Sequence, residues 1–142
     1  MVDYAALETI VNELLEIYDT DIPPIPVETM LQKPKEGMWE EVDITQLSGS
    51  FLKFDDTYAP RMSMARLLAR HISFSEWGAK RGLDALHEDN EGLYAFARML
   101  VIPRIMLQEL PTAARTPPAM RLHFEVPEAD ATKRLTDLAK YD

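Results

Sequence analysis

The chain has 142 residues, is 46% hydrophobic and 27% charged, carries a net charge of −9 and has no cysteine. That length fits a single domain over 1–142 with a core that needs no staples, and the missing cysteines exclude disulfides, thiolate metal sites and cysteine nucleophiles. The acidic balance disfavours a nucleic-acid surface, no apolar run reaches membrane-spanning length, and no basic-then-apolar leader opens the sequence, so a cytoplasmic location is expected.

Helical signals dominate. Asp3 is placed to cap a first helix in which Leu7, Ile10, Val11, Leu14, Leu15 and Tyr18 recur at helical spacing. Pro23, Pro24 and Pro26 break the chain, and a short second helix over 26–31 ends before Pro34. The stretch from Met38 to Phe54 holds the strand-like material. Trp39 to Ile44 alternates loosely, and Gly49 to Phe54 offers β-formers after a turn. From Arg61 onward, Met62, Met64, Ala65, Leu68, Ala69 and Ile72 form one apolar set. Ser73 or Ser75 then caps a helix with Glu76 in its first turn and Gly82 at its end. Asp89 or Asn90 caps another, striped by Leu93, Phe96, Ala97, Leu100 and Val101 and interrupted at Pro103, with a turn or two over Arg104 to Leu110. Thr112 to Pro118 reads as a loop or linker, and a last helix follows Pro127.

Three segments carry a resemblance. Pro60-Arg61-Met62-Ser63-Met64-Ala65-Arg66-Leu67-Leu68-Ala69-Arg70 is similar to R-x-T-x-A-H-E-x-G-H, the zinc helix of the ImmA/IrrE family of zincin-like metallopeptidases. Glu91-Gly92-Leu93-Tyr94-Ala95-Phe96-Ala97-Arg98-Met99-Leu100-Val101-Ile102-Pro103 is similar to that family's E-x-E-A-N-x-F-A-x-x-L-L-M-P. Leu122 to Leu138 resembles its closing F-x-V-S-x-x-A-x-x-x-R-L-x-x-L, with Pro127 in place of Ser. The resemblance runs from about Leu14 to Leu138. It implies an α+β, mostly helical fold, with a zincin-like helical core and a small antiparallel or mixed sheet.

In that register the two zinc histidines fall on Arg66 and Arg70, the catalytic glutamate on Leu67, and the second helix's acids on Asn90 and Gly92. A guanidinium has no lone pair for a metal, and leucine takes no proton from water. Glu91 is one residue off either acidic position, about 100° around a helix. It is instead expected to pair with Arg66 or Arg70 and fill the place of the ion. Neither metal, cofactor nor catalysis is expected.

The family acts in proteolytic control of transcriptional repressors, so the implied inheritance is recognition of a protein or peptide segment: a regulatory module without peptidase chemistry. Two alternatives stand beside it. One is a divergent zinc metallopeptidase with relocated ligands drawn from His71, Glu76, His87, Glu88, Asp89 and Glu91, although adjacent side chains such as His87-Glu88-Asp89 diverge. The other is a structural subunit or homodimer whose old cleft is filled. Trp39 and Trp77 read as packing residues, and the C-terminal segment reads as a packing element rather than a DNA reader.

Overall fold

Why the chain is helical follows from its stripes and caps. The structure, a computed structural model, describes residues 3–46 and 56–141. The first helix, α1 (Tyr4–Ile17), starts where the Asp3 carboxylate accepts from the Ala5 backbone N–H at 3.0 Å, and it buries Leu7, Val11, Leu14 and Leu15. Next comes α2 (Val27–Gln32), entered through Pro26. Pro60 sits in the first turn of α3 (Ala59–Ser73), which buries Met62, Ala65, Leu68, Ala69 and Ile72 and leaves Met64 half-buried. Ser75, not Ser73, caps the short α4 (Glu76–Ala79), accepting from the Gly78 N–H at 2.9 Å. Gly82 follows it in the left-handed region, at φ 78°. Asp89 caps α5 (Asn90–Val101). The most extensive helix-to-helix contact is between α3 and α5, so the two segments carrying the first two motifs pack together.

Pro103 ends that run and α6 (Arg104–Gln108) restarts it. The expected loop over Thr112 to Pro118 is shorter than the sequence suggests. Thr116 caps α7 (Pro117–Phe124), whose two leading prolines occupy first-turn positions where a missing N–H costs nothing. Glu125 turns the chain left-handed at φ 58°, and α8 (Glu128–Tyr141) packs on α7 and α5.

The expected α+β class is corrected: the described residues are all-helical, with no strand and no sheet. Residues 39–43 form no strand, and Ile44–Gln46 is a 3-10 turn. Their hydrogen bonds explain why. The Trp39 indole donates to the Met30 carbonyl at 2.9 Å, and the Val42 N–H donates to the Leu31 carbonyl at 2.9 Å. Both acceptors lie in the last turn of α2, where carbonyls lack helical partners. The loose alternation of Trp39 to Ile44 thus serves a helix end, not a ladder. The second expected strand, Gly49 to Phe54, lies outside the described residues.

A buried polar cluster ties the ends of the fold together. Arg134 of α8 is 1% exposed and donates through Nη2 to both Glu8 carboxylate oxygens, at 2.8 and 2.6 Å. Its Nε donates to the Ile102 carbonyl at 2.9 Å, and its Nη1 to the Tyr141 hydroxyl at 3.0 Å. Tyr141 in turn donates to Glu8, and its ring meets Tyr4 edge-on with centroids 5.8 Å apart. Beside it, Arg98 of α5 donates to Asp137 of α8 at 2.7 Å.

Removing one partner of a buried pair strands the other, at a cost of about 3–5 kcal/mol. Arg134→Ala and Glu8→Ala should therefore each lower the unfolding free energy by that amount in urea titrations at neutral pH. The double variant Glu8→Leu/Arg134→Met should be more stable than the sum of the single losses by at least about 2 kcal/mol, because no charge is left behind.

Burial and the Glu8 carboxylate push the Tyr141 hydroxyl up to about 12 from 10.0. A group whose folded value is raised contributes stability that is complete below its unfolded value and lost as pH rises through the folded one. Stability should fall between pH 10 and 12, and Tyr141→Phe should flatten that fall when denaturation is followed across the range.

Candidate functional site

Arg61 sets the position of α3. Its Nη1 contacts the Glu28 carboxylate at 3.2 Å, its Nη2 donates to the Ile25 carbonyl at 3.1 Å, and its Nε donates to the Glu125 carbonyl at 3.2 Å. The arginine of the first motif thereby joins α2, α3 and the α7–α8 turn. Two turns further along, Arg66 and Arg70 share one face of α3. With Ser63, Leu67, Leu93 and Tyr94 they line a shallow groove of about 210 Å³ between α3 and α5.

Arg66 is 40% exposed, and its Nη2 pairs with Asp130 of α8 at 3.2 Å. Its guanidinium carbon lies 5.2 Å from the centroid of the Tyr94 ring, a cation–π distance. Its Nε is buried and has no hydrogen-bond partner among the described residues. Arg70 is exposed, and its side chain forms no ion pair among the described residues. Leu67 is half-buried against the core.

The anticipated ion pair with Glu91 is replaced by the one with Asp130. Glu91 lies exposed in the first turn of α5 and forms no salt bridge among the described residues. Asp130 reaches Arg66 from 64 residues away in sequence, through the packing of α8 over α5. A clue was present: Asp130 precedes Ala131 on the border of the α8 stripe that Arg134 and Leu138 continue.

Asn90 is exposed at the start of α5. Gly92 is buried, and the Asp89 cap explains its side-chain-free state. Asp89 accepts from the Gly92 N–H at 2.8 Å, and a Cβ at 92 would stand 2.6 Å from the Asp89 carboxylate and 3.0 Å from Leu86.

These side chains do not fit the zinc ion that the resemblance would imply, because the face holds two cations and a leucine where it needs lone pairs and a base. The relocated ligands do not converge either. His87 Nε2 donates to the Ser73 carbonyl at 2.6 Å while its ring stacks on Phe74 at 3.7 Å, with the planes 4° apart. Burial holds the His71 imidazole below its usual value, with Glu40 opposing. Among the described residues no three His, Asp or Glu side chains are grouped as an ion would require. Trp39 and Trp77 are both buried, the latter beneath the Arg81 guanidinium at 3.7 Å. The groove can therefore hold an anionic or apolar group, but it contains no base to activate water.

Sequence reasoning gave no structural role to Arg98 or Arg134, the two buried arginines. Arg98 lies between Ala97 and Met99 in a helix buried on most sides, and Arg134 sits on the apolar stripe of α8. An arginine on an apolar stripe is the signal that could have found them. Comparison with protein-family models, curated proteins and solved structures finds no match to this chain.

The two trial sites for a restored carboxylate now separate. Arg66→His/Leu67→Glu/Arg70→His presents two ligands at i and i+4, and adding Asn90→Glu should tighten zinc binding roughly tenfold in calorimetric titration. Gly92→Glu should instead lose the Asp89 cap and about 1 kcal/mol of stability without improving affinity.

Proposed function

We propose that the chain is a non-catalytic protein-binding module, descended from ImmA/IrrE-type metallopeptidases, that grips a peptide segment in the α3–α5 groove. The observation that carries this reading is the pair Arg66 and Arg70 on one face of α3, beside Leu67, Leu93 and the exposed ring of Tyr94. Guanidinium groups recognise carboxylates, and a neighbouring aromatic adds apolar contact at small entropic cost. The occupant in this reading is a segment with an acidic side chain next to an apolar one. Two features support the descent. The order of the three motifs matches that family's, and the helices bearing the first two motifs pack against each other. The regulatory role follows from the family's control of repressors and rests on the resemblance.

Selection of binders from a random displayed-peptide library tests the reading. Enriched peptides should carry acidic and apolar residues together, and should shift the backbone amides of Ser63, Arg66, Arg70 and Tyr94 in NMR titrations. Arg66→Glu/Arg70→Glu should weaken them by at least about tenfold. Peptides that bind elsewhere, or binding indifferent to the double reversal, would defeat the assignment.

A further inference from the structure

A second pocket shares no residue with the Arg66/Arg70 groove. Where the end of α1 meets α6, a recess of about 360 Å³ opens over Leu15 and Met106, with Ile105 on its wall. Leu15 and Met106 are almost wholly buried, whereas Ile105 is 48% exposed. Glu16, Asp19, Asp21 and Glu109 stand around the opening. No lysine or arginine forms a salt bridge with any of the four among the described residues.

Their placement runs against local stability. Glu16 lies in the last turn of α1, Asp19 follows its end, and Glu109 closes α6, while neither helix has a basic residue in its last turn. A helix C-terminus carries partial negative charge from its unpaired carbonyls and favours cations. Two such ends and four carboxylates therefore concentrate negative potential around an apolar floor. Electrostatic complementarity selects a cationic partner, and the recess supplies a place for one apolar side chain.

We infer that this recess docks a basic segment of another protein, in which lysines or arginines flank an aliphatic anchor. The anchor lies on Leu15 and Met106 against Ile105, and the flanking cations meet the rim carboxylates.

The probe is a fluorescein-labelled peptide with lysines and arginines around a central leucine pair, followed by fluorescence anisotropy on the intact chain. Glu16→Gln/Asp21→Asn should weaken it by roughly tenfold. Glu36→Gln/Glu88→Gln, an equal change of net charge at exposed positions elsewhere, should leave affinity unchanged. Ile105→Ser should weaken the peptide too, as should replacing its leucines by serine. Equal losses from the two charge-neutralised doubles would reduce the effect to net charge and overturn the proposal. So would undiminished binding of the serine peptide. Sedimentation showing a dimer that Glu16→Gln/Asp21→Asn abolishes would make the occupant a second copy, and would likewise overturn it. Failure here leaves the Arg66/Arg70 reading untouched, because that site is probed with acidic peptides and separate variants.

Discussion

The arrangement of the helices depends on satisfying one buried guanidinium. Arg134 brings a charge into the interior, where an unpaired ion is costly, and its donors reach three separate parts of the chain. The Ile102 carbonyl is one of them. That group lies at the break between α5 and α6, where Pro103 has no N–H and the helical ladder stops. A sequence-imposed break thus creates an acceptor, and an arginine from the last helix answers it. Because α5 also forms one wall of the groove, the same interaction helps hold Leu93 and Tyr94 beside α3.

The arginines divide by environment. Arg61, Arg98 and Arg134 direct their donors at carbonyls or carboxylates within the fold. Arg66 is divided, with one nitrogen held by Asp130 and its guanidinium carbon over the Tyr94 ring, while Arg70 is exposed. Chemistry alone does not distinguish them, since all are permanently charged forks. What differs is exposure: Arg98 and Arg134 are buried and Arg61 nearly so, whereas Arg66 is partly open and Arg70 exposed. A partner competing for Arg66 must displace or share Asp130, whereas Arg70 presents no such prior contact among the described residues.

Much of the helical layout was legible because stripes and caps are local. Leu7 to Leu15, Met62 to Ile72 and Leu93 to Val101 each declare a buried face, and Asp3, Ser75 and Asp89 cap as side-chain chemistry suggests. The misreadings have a common origin in nonlocal partners. Trp39 and Val42 have strand-like spacing, yet their donors serve the end of α2. Glu91 was near Arg66 by hairpin logic, but α8 supplied Asp130 instead. The prolines at 117 and 118 suggested a linker until Thr116 made them the start of a helix. For the site, the sequence disclosed that Arg66, Leu67 and Arg70 are unsuited to zinc. It did not disclose which acid faces them, because that requires knowing how the last helix packs.

The distance between Glu8 and Arg134 along the chain also bears on how the molecule is made. During synthesis α1 emerges with its carboxylate on the face that will become interior, and 126 residues separate it from its cation. Until α8 has left the ribosome, burying that face would strand a charge, so early collapse of the N-terminal helix onto its neighbours is opposed. Domains rich in such distant pairings gain their stability late, and an incomplete chain keeps apolar surface open to chaperones and proteases for longer. Chains truncated before Arg134 should therefore be cleared rather than accumulate as partly folded forms.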